Sequence, residues 1–269
     1  MKNSQIAEQY KVYIYNRGEF AEEIRFINKE VTVNAYINGK YHIPFLCSPS
    51  YLEELIIGYL FNKELIYSLN DIKTLKISED SMSIYVDLKR VHSVSTNGIR
   101  PSGFGDGVIF ESTKRNKVSE LKTKIRMLDL ISAQKTKSEK EDFYRLCGGI
   151  HSAALCEGGD ILAFVEDIGR HNTIDKICGI CLKKNIETKG KQIITSGRIS
   201  CEMINKVIAL DVPIIVSLSA ATAMAIRKAQ DAKITLIGYF KCNSCIIYTN
   251  PYRVDLSRAT DPPMQLSLV

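Results

Sequence analysis

The sequence predicts an α/β protein: a three-layer C-terminal domain joined to a smaller N-terminal domain containing β structure. Three observations carry this. Beyond residue 141, short apolar runs alternate with segments of helical period, the pattern of a sheet flanked by helices. Before residue 113 the chain instead shows strict apolar/polar alternation around a hairpin signal. The length of 269 residues lies between one large domain and two small ones, and 45% hydrophobic with 25% charged residues is an ordinary globular composition, excluding disorder and fibrous repeats.

Taken in order, "EVTVNAYINGKYHIPF" (30–45) alternates on either side of Asn38-Gly39, a strong signal for a tight hairpin. "SPSYLEELIIGYLFNKELI" opens with a serine cap and a proline, and Leu52, Leu55, Ile56, Tyr59 and Leu60 recur at helical spacing, predicting an amphipathic helix over 50–62. Two short strands, "TLKISE" and "SMSIYVDL", follow. Residues 95–107, "STNGIRPSGFGDG", are a loop by their glycine, serine and proline content. The charged stretch 114–141 reads as one or two exposed helices, with a domain boundary at 113/114. A helix at 142–147 then leads into strand "AALCEGGDILAFVED", helix "NTIDKICGICLKKN", strand "QIITSG", helix "SCEMINKVIAL", strand "PIIVSLS", helix "ATAMAIRKAQDA" and strand "ITLIGYF". This alternation predicts a largely parallel sheet.

The net charge of +6 and pI near 8.8 come from basic residues spread along the chain, which suits a phosphorylated small ligand better than a nucleic acid. "MKNSQIAEQYKVY" lacks the apolar core of a signal peptide, and the longest apolar stretch, Val212 to Ile226, is short and broken by Ser217, Ser219 and Thr222. The expectation is a cytoplasmic protein without a membrane span, whose eight cysteines (47, 147, 156, 178, 181, 201, 242, 245) are thiols, metal ligands or redox groups.

Three polar clusters fall at strand-to-helix junctions: 166–172, 195–200 and 217–222. Helix N-termini at the carboxyl ends of parallel strands form ligand crevices. Gly169 and Gly197 would let backbone amides approach a ligand, and Arg170 and Arg198 offer forked donors for phosphate or carboxylate. The competing reading makes Asp167, Asn172, Ser196 and Ser219 helix caps, Arg170 a structural ion-pair partner and His171 a satisfied polar residue. His42 and His92 lie outside these clusters.

The segments "CGGIHSAAL" (147–155), "EDIGRHNTIDK" (166–176), "TSGRISCEM" (195–203), "VSLSAAT" (216–222), "TLIGYF" and "IYTNPYRV", with "INGKYHIPFLCSPSYLEELIIGYLFNKELI" near the N-terminus, resemble the formate dehydrogenase accessory sulfurtransferases, the FdhD family. The resemblance spans nearly the whole chain. It implies a cytidine-deaminase-like C-terminal fold, a homodimer, and a sulfur carrier that takes persulfide sulfur from a cysteine desulfurase. The recipient it implies is the molybdenum (or tungsten) bis(guanylyl molybdopterin) cofactor of formate dehydrogenase, a guanine-bearing client. Deaminase chemistry is not implied, because the His-x-Glu and Pro-Cys-x-x-Cys that hold and use zinc are missing, and no tightly bound metal is expected.

The ligand shell expected from these segments is His151, Asp167, Gly169, Arg170, His171, Asn172, Ser196, Gly197, Arg198 and Ser219, with Phe240, Lys241, Cys242, Asn243, Ser244 and Cys245. The chain departs from the resemblance at one position: the family's carrier cysteine lies in a pattern like SGCGGGVxF, and "SGFGDGVIF" (102–110) has Phe104 there. Phenylalanine forms no persulfide. Cys242 and Cys245 are the better substitute pair. Cys178 and Cys181 read as buried helix residues, and Cys147 and Cys201 are further candidates. The competing functions are a cofactor-binding chaperone without a carrier thiol and a zinc- or redox-responsive regulator using both Cys-x-x-Cys pairs.

Overall fold

The computed structural model describes residues 6–89, 118–119, 123–241 and 244–256, so the expected boundary at 113/114 and the loop 95–107 with Phe104 lie outside the described residues. The chain opens with a two-stranded hairpin, β1 (Ala7–Asn16) and β2 (Glu19–Asn28), that sequence reading missed. A four-stranded sheet follows in the order β4-β3-β6-β5, built from β3 (Val31–Ile37), β4 (Tyr41–Cys47), β5 (Ile72–Ile77) and β6 (Ser83–Leu88). Asn38 and Gly39 both take positive φ, 52° and 61°, as the tight β3–β4 turn requires.

Between β4 and β5 lies α1 (Leu52–Asn62). Its start corrects the serine-cap expectation: Tyr51, in the left-handed region at φ 51°, holds the cap position without a side-chain hydrogen bond. The helix is also less amphipathic than its spacing suggested, because Ile57, Gly58 and Asn62 are buried along with Leu55, Ile56 and Leu60. One side covers the four-stranded sheet. The other crosses α4 (Arg170–Lys184) at two glycines: a Cβ on Gly58 would lie 1.8 Å from the Asp175 carbonyl oxygen, and one on Gly179 would lie 2.0 Å from that of Glu54. Backbone packs on backbone there, which only glycine permits.

The C-terminal layer is a six-stranded sheet in the order β13-β12-β11-β10-β8-β9, with β8 (His151–Glu157), β9 (Asp160–Asp167), β10 (Gln192–Thr195), β11 (Ile214–Ser217), β12 (Thr235–Lys241) and β13 (Ser244–Ile247). Two corrections follow. The segment expected as one strand, 153–167, is the β8–β9 hairpin, turned at Gly158 with φ +57°. The sheet is mixed, with β10, β11 and β12 mutually parallel and the remaining pairings antiparallel. On one face Ile177, Met203, Val207, Ala225 and Ala229 bring α4, α5 (Cys201–Ala209) and α6 (Ala223–Asp231) into a single core. On the other face, Leu130 and Ala133 of α2 (Met127–Glu139) pack against Ala154, Ile194 and Val216. The expected exposed helices of 114–141 are thus represented by α2, which buries one side and the whole of Lys137. The expected 142–147 helix is α3 (Asp142–Cys147), and a short parallel pair joins β7 (Ile125–Arg126) to β14 (Val254–Asp255). Among the described residues no helix is long and apolar enough to cross a membrane.

Candidate functional site

Because β8 runs antiparallel to β9 and β10, its start lies at the same sheet edge as their ends, so His151 joins the three strand-to-helix junctions. His151 pairs with Asp167 across the hairpin. Its Nδ1 lies 3.2 Å from Ser196 Oγ, which also accepts the Ser152 N–H at 3.0 Å. The next junction is sewn in by the Leu218 N–H to the Thr195 carbonyl, 3.0 Å, and by Ser217 Oγ to the Gly197 carbonyl, 2.8 Å. Ser219 continues the row, its carbonyl accepting from Tyr239 N–H at 3.0 Å. The helix caps are Ser200 on α5 and Thr222 on α6, so Ser196 and Ser219 are not caps.

The segment Glu166–Lys176 divides into groups that hold the fold and groups that face outward. Asp167 is fully buried: its Oδ1 accepts from Gly169 N–H at 2.7 Å and Asn172 Nδ2 at 2.8 Å, while Oδ2 accepts from Ser48 N–H at 3.1 Å and from Lys176 Nζ. Lys176 also donates to the Ser48 carbonyl, 3.1 Å, and Asn172 to that of Leu46, 2.8 Å. One turn later Asp175 takes Lys206 Nζ at 2.5 Å and Asn62 Nδ2 at 2.7 Å. Burial raises the Asp175 carboxyl against the opposing pull of Lys206 and Asn62. Glu166 receives the Tyr144 and Phe143 N–H groups of α3 at 2.9 and 3.2 Å. Asp167, Asn172 and the Gly169 amide are therefore committed to protein partners, and the approach of Gly169's amide to a ligand gives way to an internal turn. Gly197 is corrected likewise: its N–H goes to Thr195 Oγ1, 3.2 Å, and its bare α-carbon lies under Arg170, whose Cβ would be 2.6 Å from an added Cβ.

What faces outward is cationic. Arg170 stacks over Gly197, and its Nε is buried without a hydrogen-bond partner among the described residues. Burial and then repulsion from Arg198 pull its pKa down, with Glu202 opposing. Arg198 is exposed. Burial, and next Arg170, lower His151, against Asp167. His171 is pushed down to about 2 by burial, reinforced by Lys206, Arg170 and Lys63, so its ring is neutral. Its Nδ1 lies 3.6 Å from Glu202 Oε2, and Glu202 also takes Lys63 Nζ of the α1 end at 3.3 Å. Sequence reading missed Glu202 and Lys63 as neighbours of this site; Glu202 stands inside the "SGRISCEM" segment, but Lys63 carried no local signal. It also missed Tyr239, which keeps a left-handed φ of 48° at the β12 irregularity, a conformation unusual for an aromatic residue.

The remaining expected residues separate. Phe240 is a correction: it is buried in the core under α2, not turned to the site edge. Lys241 and Ser244 are exposed, Cys245 is half-buried against that same core, and Cys242 and Asn243 lie outside the described residues. Burial raises the thiols of Cys147, Cys178 and Cys245, and holds Cys47, Cys156 and Cys181 at about 12. Cys178 and Cys181 lie on α4, which packs on β8 and β9, while Cys245 lies on β13 at the opposite edge and face of the sheet. One metal shared by both pairs does not fit this arrangement.

A family model for the FdhD/NarQ family matches residues 28–255, a span that runs from the end of β2 through β14. The chain belongs to the FdhD/NarQ family. Among FdhD relatives, the sulfur carrier protein FdhD of Bacillus subtilis (strain 168) is 31% identical over 259 residues, covering 94% of this chain and 99% of that protein. The protein of the same name from Wolinella succinogenes is 32% identical over 257 residues, covering 91% and 89%. In fold, the chain resembles the crystal structure described as a putative formate dehydrogenase accessory protein from Desulfotalea psychrophila, with a TM-score of 0.76 at 18% identity over 93% of this chain and 99% of that one. The α/β class and the β-containing N-terminal part agree with that FdhD-type architecture.

Proposed function

We propose that this chain is a cytoplasmic sulfur carrier of formate dehydrogenase maturation, which holds the bis(guanylyl molybdopterin) cofactor of molybdenum or tungsten as its client. In this reading it passes to the cofactor sulfur received from a cysteine desulfurase. The relatives' shared name supports the carrier role. The observation that carries the ligand class is the pair Arg170 and Arg198: two guanidinium groups are left mutually repelling at a sheet edge where the neighbouring carboxylates, Glu202 included, already have protein partners. Like charges held together this way are relieved by a multiply charged anion, and phosphate accepts the guanidinium fork from two sides. His151 and Ser196 stand beside them as uncharged hydrogen-bonding groups.

Isothermal titration with GDP as probe tests this pocket. Arg170→Ala is expected to weaken binding roughly 10- to 100-fold, the loss of one or two charge-assisted hydrogen bonds. Unchanged affinity removes the pocket as proposed.

Sulfur loading requires a carrier thiolate to attack the outer sulfur of the desulfurase persulfide, with the inner sulfur leaving as the desulfurase thiolate. Phe104 has no thiol to offer, and of the described cysteines only Cys147, Cys201 and Cys245 are not buried. This favours a second reading, a cofactor-binding chaperone without a carrier. Intact-mass measurement after incubation with a cysteine desulfurase and cysteine separates the two. A gain of one sulfur that vanishes in Cys242→Ser/Cys245→Ser identifies a relocated carrier, and no gain alongside retained GDP binding identifies the chaperone.

A further inference from the structure

Strand β9 closes one side of the six-stranded sheet, and among the described residues it pairs only with β8. The direction of its main-chain groups follows from that pairing. The Ser196 N–H donates to the Ser152 carbonyl at 3.0 Å, so Ser152 and, two residues on, Ala154 point toward β10. Ala153 and Leu155 therefore point toward β9, where they meet Val165 and Ala163. Phe164 and Glu166, opposite Ala154 and Ser152, turn their N–H and C=O groups the other way, to the free edge. None of these four main-chain groups has a hydrogen-bond partner among the described residues.

Edges that face water are blunted by lysine, proline or a bulge. The edge strand β5 follows that rule, with a register shift between Ile72 and Thr74 and with exposed Lys73 and Lys76. The β9 edge does not. Residues 161–165 read ILAFV, without charge or proline, and the pairing is regular over 163–167. Two clefts flank this edge and share Tyr51 and Phe164. The first, of about 340 Å³, lies beside α4; its Lys183 and Glu54 bind each other at 2.7 Å, which leaves the charge of Lys184 uncompensated. The second, of about 410 Å³, lies beside α3, and its acids Glu139, Asp142 and Glu166 outnumber Lys140 even with the Arg145 that pairs with Asp142.

We infer that the free edge of β9 receives an extended segment of a partner protein as a seventh strand, with acidic side chains turned to Lys184 and basic ones to the acids beside α3. The unpaired N–H and C=O groups of Phe164 and Glu166 specify an extended backbone, the mode of recognition by strand addition. Side chains along a strand alternate between faces, and β9 shows which face is which: Ala163 and Val165 pack with the α4 core, Phe164 with the α2 core. Successive residues of an added strand thus meet clefts of opposite charge, so a segment in which acids and bases alternate satisfies both. The same stretch of a second copy of this chain, uncharged over 161–165, offers neither sign.

The test is amide hydrogen exchange at Phe164 in the full chain, alone and with millimolar capped peptide of about seven residues alternating glutamate and lysine. A control peptide of the same sequence is N-methylated throughout and has no main-chain donors. The expected result is fast exchange in the free chain, slowed about tenfold or more by the first peptide and unchanged by the second. Lys184→Glu, at an exposed position, is expected to leave the thermal melt unchanged and to weaken peptide binding roughly 3- to 10-fold. Protection already present in the free chain overturns the inference, because the edge is then covered by something else, a second copy included. Absence of protection by the first peptide overturns it too, as does equal protection by the N-methylated one. Equal binding by Lys184→Glu overturns the assignment of acidic side chains to that cleft. GDP affinity of the same samples reports the Arg170 and Arg198 pocket separately.

Discussion

Asp167 and Arg170 stand three residues apart, yet their surroundings differ completely. The carboxylate is sealed and engaged by Gly169, Asn172, Ser48 and Lys176, whereas the arginine lays its aliphatic stem across the bare Gly197 and has another arginine for company. A dense polar segment therefore need not be a binding site throughout. Here the carboxylates and lysines hold α4 against the N-terminal half, and their mutual neutralisation is what leaves the arginines as net positive charge at the sheet edge. A buried ion pair contributes little net stability when intact, because desolvation offsets attraction, but it is costly to break.

The comparison can be broken most sharply at the lock. Lys176→Ala would strand the Asp167 carboxylate, and urea denaturation should show a loss of about 3–5 kcal/mol, against a negligible change for Arg198→Ala. If the two variants melt alike, the division between lock and site fails. Next in size is the helix crossing: Gly58→Ala or Gly179→Ala inserts a methyl group into a backbone-to-backbone contact, and an expected loss of about 1–3 kcal/mol would appear as a lowered denaturation midpoint. For Arg170→Ala the expectation is the reverse pairing, a stability change within about 0.5 kcal/mol together with the loss of GDP affinity described above. A variant that unfolds as readily as Lys176→Ala would move Arg170 into the lock.

The smallest expected effect is one of pH. His171 is held neutral in the fold, with its pKa depressed from 6.5 to about 2, while the unfolded chain takes up a proton near the ordinary value. The unfolded state therefore binds more protons below about pH 6.5, and stability is lost as the pH falls, by at most about 1.4 kcal/mol per pH unit for this group. His151, also depressed, acts in the same direction. Stability curves measured from about pH 7 to 5 should thus slope less in His171→Gln than in the wild type. Parallel curves would mean that His171 is not kept neutral by its surroundings.

Several features were legible because their cause is local. Asn38-Gly39 specifies its turn through two positive φ angles, and the 3.6-residue spacing of Leu52, Leu55, Ile56 and Tyr59 specifies α1. The β8–β9 hairpin did carry a local signal, Gly158-Gly159 between two strand-like runs, and it was passed over because the apolar content on both sides reads as one continuous strand. The exposed β1–β2 ribbon was hidden because much of its apolar surface faces outward, contrary to the rule that finds strands by a buried face. Ser50 has the residue type of a cap, but the chain enters α1 through Tyr51 instead.

The sequence by itself determined the α/β class, the order of most elements, the family and the set of polar segments that meet at one sheet edge, since residue type, periodicity and motif are properties of neighbouring residues. Only the tertiary structure decided which of those polar groups remain open. The partners that occupy Asp167, Lys176 and Asp175 include Ser48 and Asn62, more than a hundred residues away, and Lys206, on another helix. A charge becomes part of a lock or part of a site according to what packs against it, and that is settled by folding rather than by its neighbours along the chain.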